Sequence, residues 1–270
     1  MNASFRPDSA GLPHSTGMAM HSSLDFGYPW WLSYIHLPVS AVAGLLLALG
    51  YARKWPRAVL LCSGVVLAWS LAAFVVMRFV FNMNGRAPLA TENFLSSGVG
   101  RVLDIGAGTG RSSVMVLEAR PRATLVASDL FGESFDQHFG HSGDPQQKLL
   151  ANLRAAGVSG RATIETADMR KLPFATASFD AAVSAYAMDH LGRDGSRQAL
   201  AEAARVLKPG GDFLLLVFAK EPWAWFAFGP LMAHAGRGAA WWTESTRAAG
   251  FQILESGTHP LTLYILARRE

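Results

Sequence analysis

Two long apolar stretches dominate the first third of the chain. The first runs from Phe26 to Ala52 without an Asp, Glu, Lys or Arg, and the second covers Ala58 to Met77. About twenty apolar residues are what a helix needs to cross the hydrocarbon core of a bilayer. The pattern therefore predicts two transmembrane helices in a hairpin over residues 26–81. The alternative is a helical hairpin buried in a soluble protein.

The flanks of the hairpin complete this part of the chain. Arg53, Lys54 and Arg57 lie in the turn between the two stretches, and a positive-inside count places such a turn in the cytoplasm. Residues 1–25 are rich in Ser, Gly, Pro, His and Met without hydrophobic periodicity, so a flexible tail is predicted there. Residues 82–97 are predicted to form a linker.

The charge of the chain is low and weakly basic. Only 16% of the residues are charged, and the net charge is +4. The basic residues are scattered and form no stripe interleaved with aromatic residues, so no nucleic-acid partner is predicted. A bilayer surface or an acidic ligand agrees better with this composition.

From Gly98 onward, short apolar strands alternate with helical stretches. This alternation predicts βαβ units and a parallel sheet with helices on both faces. The last two predicted strands, Phe251–Glu255 and Leu261–Ala267, are separated only by a short turn, so they must pair antiparallel. Residues 98–270 are therefore predicted to form one α/β domain.

The first strand of this domain ends in a glycine-rich loop. Gly106, Gly108 and Gly110 follow the strand and precede a helix. Such glycines permit a tight turn and a close approach to a ligand at the helix N-terminus. The third glycine comes one position earlier than in the dinucleotide-binding fingerprint, and Asp104 precedes the loop.

Acidic residues follow the next two strands. Asp129 ends the second strand, about as far downstream as an acid that binds ribose hydroxyls, although it could also merely start a turn. A carboxylate at this position can accept two hydrogen bonds from a diol. Asp168 follows the third strand, where its carboxylate can accept a hydrogen bond from an adenine amino group while Met169 packs on the ring.

These motifs, together with Phe179-Asp180 and Leu207-Lys208-Pro209-Gly210-Gly211, resemble the class I S-adenosylmethionine-dependent methyltransferases of the ubiquinone/menaquinone-biosynthesis type. The resemblance covers residues 98–270. It implies a Rossmann-like, seven-stranded, mostly parallel sheet with an antiparallel last strand, and S-adenosylmethionine as the cofactor. It implies that the methionine part is bound by Asp104, Gly106, Ala107, Gly108 and Gly110, the ribose by Asp129 with Leu130, and the adenine by Asp168 and Met169, with Ser184 and Ala185 beside the sulfonium.

Methyl transfer from a sulfonium depends mainly on holding the acceptor about 3–3.5 Å from the methyl group. A general base is needed only if the acceptor must lose a proton early. Similar enzymes often carry two His where this chain has Asp189-His190. His190 matches that pattern and is the candidate base, whereas Asp189 departs from it and is a second candidate through its place next to His190. The alternative is that Asp189 caps the following helix and that His190 packs structurally.

Two segments depart from the compact pattern of the family. The stretch from Phe131 to Asp144 contains His138 and His141, and we interpret it as a solvated loop rather than a metal site, so no metal is predicted. The stretch Glu221–Trp242 is rich in Trp and Phe. It is interpreted either as a lid over the substrate or as a helix that packs on the sheet.

The sequence thus predicts a membrane-anchored methyltransferase that acts on a small, lipid-soluble acceptor such as a quinone, an isoprenoid or a lipid headgroup. The positive-inside count of the turn would put the domain outside the cell, whereas S-adenosylmethionine is cytoplasmic. Because long folded domains follow the charge rule poorly, the domain is predicted to lie in the cytoplasm with the basic turn outside, in a multi-pass protein of the cell membrane. An interfacial hairpin that never crosses is the alternative topology. A soluble metabolite as acceptor, or a non-catalytic cofactor-binding scaffold, are the alternative functions. The sequence does not indicate an oligomeric state.

Overall fold

The computed structural model describes residues 24–131, 144–219, 222–228, 236–259 and 261–270. They form a helical hairpin followed by an α/β domain. The hairpin consists of α1 (Trp30–Tyr34), α2 (His36–Ala52) and α3 (Arg57–Val75), and α3 continues into a π-helical turn over Val76–Phe81. By length and composition, Trp31–Ala52 and Arg57–Phe81 are candidate membrane spans.

The hairpin is apolar on its outside and carries a polar pair inside. Val42, Leu61 and Val65 are 59%, 70% and 60% exposed. Between the helices, the hydroxyl oxygens of Ser40 and Ser70 lie 2.8 Å apart. This distribution is the reverse of that in a water-soluble helical pair, where the apolar side chains face inward.

The α/β domain is built on one seven-stranded sheet with the order β3-β2-β1-β4-β5-β7-β6. Its strands are β1 (Arg101–Ile105), β2 (Thr124–Asp129), β3 (Ala162–Thr166), β4 (Phe179–Ala185), β5 (Leu207–Phe218), β6 (Phe251–His259) and β7 (Thr262–Arg269). The first five strands pair parallel, and β7 runs antiparallel to both β5 and β6. The predicted mostly parallel sheet with an antiparallel last strand is confirmed.

Helices cover both faces of the sheet. They are α4 (Arg111–Ala119), α5 (Pro145–Ala155), α6 (Arg193–Val206) and α8 (Ala239–Ala248), while α7 (Pro222–Phe228) packs against Met77 of the hairpin. One buried apolar cluster contains Phe179, Leu200 and Trp242, and the cluster on the opposite face contains Leu125 and Leu149. These two layers fix the sheet between α6 and α8 on one side and α4 and α5 on the other.

The last two strands extend further than predicted. β7 continues to Arg269 rather than ending at Ala267, because Arg269 still pairs with Phe251. β6 extends to His259, since its pairing with β7 continues through Gly257. The turn between β6 and β7 is therefore shorter than the sequence pattern indicates.

The segments on both sides of the hairpin pack against the α/β domain. Phe26 is 1% exposed, and its carbonyl oxygen accepts a 2.7 Å hydrogen bond from the Thr109 hydroxyl. Phe94 and Leu95 are buried, and the N–H of Leu95 donates to the Asp212 carboxylate at 3.0 Å. Packed contacts thus cross the predicted boundaries, since Phe94 and Leu95 of the predicted linker belong to a core cluster of the domain.

Candidate active site

A cavity of about 510 Å³ opens at the carboxyl ends of the central strands. This volume lies in the range of small-molecule pockets. The cavity is lined by the glycine loop, by residues after β2, β3 and β4, and by residues that flank the hairpin. It lies where the strand order reverses between β1 and β4, the usual ligand position in open α/β sheets.

The glycine loop closely approaches its neighbours. Gly106, Gly108 and Gly110 have φ angles of +76°, +53° and +91°, which favour glycine. A Cβ atom on Gly106 would lie 2.3 Å from Cβ of Ala187. Gly106, Ala107 and Gly108 line the cavity as predicted for cofactor-binding residues.

Gly110 does not line the cavity, in contrast to its predicted role. A Cβ atom at this position would lie 2.3 Å from Cδ1 of Leu149. Because Gly110 has no side chain, α5 can pack closely against the start of α4. Gly110 is not part of the cavity surface.

Asp129 lies at the end of β2 and lines the cavity beside Leu130. Its carboxylate accepts the N–H of Gly108 at 2.9 Å and the N–H of Phe131 at 3.2 Å. Burial raises the pKa of Asp129 while these hydrogen bonds lower it, and the net direction is upward. A carboxylate has about four lone-pair positions, so acceptor capacity for a diol remains.

Asp104 lies beneath the loop and is fully buried rather than at the cavity surface. One carboxylate oxygen, Oδ2, accepts the hydroxyl groups of Ser112 and Ser113 at 2.7 and 2.6 Å. The other oxygen, Oδ1, is buried without a hydrogen-bond partner among the described residues. Burial, more than any other effect, raises the pKa of Asp104 to about 6. Oδ1 is therefore an acceptor directly under the glycine loop that a cationic group would satisfy.

Asp168 and Met169 follow β3 and also line the cavity. The Asp168 carboxylate pairs with the Arg170 guanidinium at 2.6 Å, and this hydrogen-bonded cation lowers the pKa of Asp168. A Cβ atom on Gly106 would lie 3.0 Å from Cε of Met169. Met169 thus packs beside the glycine loop, as expected of a residue that contacts the cofactor.

Of the two residues predicted beside the sulfonium, only Ala185 lines the cavity. Ser184 is fully buried, and its hydroxyl oxygen has no partner among the described residues. Successive side chains of a strand point to opposite faces, so Ser184 faces the domain interior.

Of the two candidate catalytic residues, only His190 lines the cavity. His190 is exposed and lines the cavity. Asp189 does not line it, and its carboxylate accepts the N–H of Phe218 at 3.1 Å. The alternative that Asp189 caps the next helix is wrong, since α6 begins after Gly192 without a side-chain cap. Asp189 instead fixes the end of β5 beside the cavity.

The remaining wall of the cavity comes from residues that the motif reasoning missed. Phe26 and Tyr28 lie before the hairpin, and Val80 and Phe81 end it. The two flanks are joined by hydrogen bonds between the backbone of Tyr28 and the side chain of Asn84, at 3.1 and 2.8 Å. No motif marks these residues, because they are distant from the glycine loop in sequence.

The described residues of the aromatic segment Glu221–Trp242 pack against the sheet and the hairpin. Trp242 is fully buried in the core, which confirms the packing interpretation for α8. The carbonyl oxygens of Phe226 and Ala227 accept hydrogen bonds from Trp69 and His36 at 2.8 and 2.6 Å, so α7 docks on the hairpin. None of the described residues of this segment lines the cavity, so they do not form a lid over it.

The predicted loop histidines, His138 and His141, lie outside the described residues. Asp144 is the N-cap of α5 and accepts the N–H of Gln146 at 2.9 Å. Within the described ranges, no group of three or more His, Cys, Asp or Glu side chains is placed to hold a metal ion.

The cavity fits S-adenosylmethionine on three observations. The backbone of the glycine loop at Gly106, Ala107 and Gly108 lines the cavity. Asp129 offers free acceptor capacity for a ribose diol, and the unpartnered Oδ1 of Asp104 offers a buried acceptor beneath the loop. Asp104, Asp129 and Met169 are thus the side chains that would hold the methionine, ribose and adenine parts.

Comparison with known proteins agrees with this geometry. Residues 102–211 match the family model described as a methyltransferase domain. A ubiquinone/menaquinone biosynthesis C-methyltransferase UbiE from Syntrophotalea carbinolica is 34% identical over 141 residues, which cover 52% of this chain and 53% of that protein. A demethylmenaquinone methyltransferase from Deinococcus radiodurans is 34% identical over 118 residues, 44% of this chain and 43% of that protein. The chain therefore spans about half the length of the curated relatives it matches.

Solved structures show the same fold at low sequence identity. A SAM-dependent methyltransferase from Methanosarcina mazei is 17% identical with a TM-score of 0.53, and the match covers 68% of this chain and 99% of that chain. An O-methyltransferase family protein from Burkholderia thailandensis is 14% identical with a TM-score of 0.53, covering 88% and 71%. The α/β part of the chain thus has the fold of these structures, and residues 102–211 match the methyltransferase-domain model, a class whose cofactor is S-adenosylmethionine.

Proposed function

We propose that this protein is a membrane-anchored methyltransferase that transfers the methyl group of S-adenosylmethionine to a small, lipid-soluble acceptor. One observation carries the proposal: a single cavity joins the glycine loop and Asp129 to an apolar wall at the base of the hairpin. The relatives named as ubiquinone/menaquinone methyltransferases favour a quinone-like acceptor over an isoprenoid or a lipid headgroup.

The hairpin supports the anchoring part of the proposal. Helix α3 and its π-helical turn would be about 38 Å long at roughly 1.5 Å per residue, enough to cross a hydrocarbon core. The exposed side chains of the hairpin are apolar along its length, and its charges, Arg53, Lys54, Arg57 and Arg78, lie towards its ends. We place the domain in the cytoplasm, where the cofactor is made, with the basic turn on the other side.

The residues of this chain act mainly by positioning. When bound, S-adenosylmethionine supplies an activated methyl group. The loop around Gly108 and the carboxylate of Asp129 orient that group, and the apolar side chains of Phe26, Val80 and Phe81 exclude water from the acceptor end. His190 lines the cavity and is the group that would receive a proton from the acceptor.

The proposal predicts a methylated product in the membrane. Incubating the full-length protein and S-adenosylmethionine with a bacterial membrane lipid extract should convert one lipid-soluble compound into a product heavier by one methylene group, as detected by mass spectrometry. The control reaction contains S-adenosylhomocysteine instead of the cofactor. Conversion only in the soluble metabolite fraction would favour the alternative acceptor class, and conversion in neither fraction would favour the scaffold.

Anchoring is tested by a charge at the centre of α3. Val65→Asp should strongly reduce the membrane-inserted fraction, because a carboxylate at the centre of a span costs about 2.5–3.5 kcal/mol. The matched control is Val99→Asp in the α/β domain, where Val99 is 50% exposed, and it should leave insertion unchanged. Both are measured by flotation of cell membranes. Equal flotation of the two variants would contradict the transmembrane hairpin.

A further inference from the structure

We propose that Arg111, together with the hydroxyl groups of Tyr28 and Tyr186, binds an acceptor oxygen that carries negative charge during methyl transfer. This inference rests on the proposed function and deepens it. It assigns a binding site at the acceptor end of the cavity and connects that site to the hairpin.

The position of Arg111 makes its charge available to a ligand in the cavity. It is the first residue of α4 and lines the cavity. Its guanidinium donates to the carbonyl oxygens of Gly85 at 3.1 Å and Asn82 at 3.3 Å, just beyond the hairpin. A cation in the first turn is opposed by the helix dipole, so the charge does not serve the stability of α4.

Other cavity charges are already paired or belong to the cofactor end. Arg170 pairs with Asp168 at 2.6 Å. For Arg111, no carboxylate lies within ion-pair distance in the part of the chain that the structure describes. A cation that lines an apolar cavity beside two backbone carbonyls retains most of its capacity to attract an anion.

Two tyrosines, Tyr28 and Tyr186, line the same cavity as Arg111. The hydroxyl oxygen of Tyr186 lies 2.5 Å from that of Thr262, and its ring contacts Phe81 with 6.3 Å between the ring centroids. Burial raises the pKa of Tyr28 to about 12 and also raises that of Tyr186, while the Arg111 charge acts in the opposite direction on both. Both hydroxyls therefore stay protonated near neutral pH and can donate to an oxyanion.

The remaining titratable groups around this site are Asp189, His190 and His259. Asp189 acts on the pKa of both tyrosines, but it lies outside the lining and within electrostatic range of Arg237. His190 and His259 line the cavity. Arg111 is the arginine of the lining that no described carboxylate pairs with.

The geometry favours the acceptor over the cofactor as the source of the oxygen. Tyr186 and Thr262 lie at the ends of β4 and β7, and Phe81 belongs to the hairpin. Two of the predicted cofactor carboxylates, Asp129 at the end of β2 and Asp168 after β3, line the cavity. An apolar acceptor on the hairpin side would thus place its one polar atom against Arg111.

The reaction balances with this assignment. An electron pair of the acceptor, on the ionised oxygen or on a carbon conjugated with it, forms the new bond to the methyl carbon. The carbon–sulfur bond breaks and its electron pair stays on sulfur, which becomes a neutral thioether. One proton leaves the acceptor overall, either to His190 or to water, and no oxidant is required.

A chromophoric phenol tests the site directly. Full-length protein in detergent, saturated with S-adenosylhomocysteine and in excess over 4-nitrophenol, should lower the titration midpoint of the phenol by about one pH unit relative to protein-free micelles. Arg111→Gln should abolish this shift, Arg111→Lys should keep part of it, and Tyr186→Phe should reduce it. The matched control Arg86→Gln, which removes a surface ion pair with Glu118, should retain the full shift.

Binding of S-adenosylhomocysteine, measured by calorimetry, separates the possible failures. An unshifted midpoint with the wild-type protein, or an equal shift with Arg111→Gln, would overturn the inference. Loss of S-adenosylhomocysteine binding in both Arg111 variants would assign Arg111 to the carboxylate of the cofactor and would also overturn it. If the wild-type protein itself does not bind S-adenosylhomocysteine, the proposed function fails. If Arg111→Gln is unfolded by circular dichroism, Arg111→Lys and Tyr186→Phe decide the question.

Discussion

Replacing Asp129 with Ala should weaken the binding of S-adenosylmethionine about 10- to 150-fold. A charged acceptor contributes roughly 1.5–3 kcal/mol to such hydrogen bonds, and about 1.4 kcal/mol corresponds to a factor of ten. The carboxylate also orders the loop, since it accepts the N–H groups of Gly108 and Phe131. Calorimetry on the detergent-solubilised full-length protein measures the affinity.

The matched control for this change is Glu165→Ala. Glu165 lies on β3 in register with Ser128 of β2, and it is exposed outside the cavity lining. Its removal should leave the affinity unchanged. Asp129→Asn keeps one acceptor oxygen and should give an intermediate loss. If Asp129→Ala binds the cofactor as tightly as the wild-type protein, Asp129 does not belong to the ribose site.

The sequence was most informative where local pattern and global fold agree. The glycine loop required positive φ angles, and alternating strands and helices leave few sheet topologies. Asp129 follows its strand at a fixed distance, so its place at the carboxyl edge could be predicted from spacing alone. These features depend on backbone geometry, which sequence patterns report directly.

Side-chain direction was harder to predict. Asp104 and Ser184 occur in the expected motifs, but both are buried beneath the cavity instead of lining it. A motif fixes the position of a residue along a strand, while its surroundings depend on which face packs against helices. Gly110 illustrates the same limit, because its conflict with Leu149 arises from α5, far along the chain.

The hairpin flanks could not be assigned to the site from sequence. Tyr28 and Phe81 are separated by the whole hairpin, and only the tertiary fold brings both to one cavity wall. The signal for Arg111 was available, since it directly follows Gly110 at the start of a helix. A cation in that position is unfavourable for the helix dipole and thereby indicates another purpose.

Asp104→Asn should stabilise the protein at pH 7.5 and weaken its cofactor binding at the same time. The folded-state pKa of Asp104 is about 6, above its ordinary value of 3.8. The folded state therefore binds the proton more tightly, and this group's stabilising contribution, complete below about pH 4, is lost as the pH rises through 6. The loss amounts to roughly 3 kcal/mol, at about 1.4 kcal/mol for each pKa unit.

Asparagine at position 104 removes the pH dependence of stability that the carboxyl group causes. It keeps the acceptor oxygen that Ser112 and Ser113 use. Ser112 and Ser113 both donate to Oδ2, so one amide oxygen can accept both hydroxyl groups. The amide nitrogen would then occupy the position of Oδ1, which has no partner in the described structure. Thermal unfolding between pH 4 and 8 should show a smaller decline in stability above pH 4 for Asp104→Asn than for the wild-type protein.

The contrast with a second buried carboxylate makes the test specific. Asp212 pairs with Arg268 at 2.8 Å and accepts the N–H of Leu95 at 3.0 Å. Asp212→Asn should therefore lower the melting temperature, whereas Asp104→Asn should raise it at pH 7.5. Calorimetry should show that Asp104→Asn alone weakens S-adenosylmethionine binding, because a donor replaces the buried acceptor that would face the cationic amino group of the methionine part. Unchanged affinity in a stabilised Asp104→Asn variant would show that Asp104 supports the loop but does not bind the cofactor.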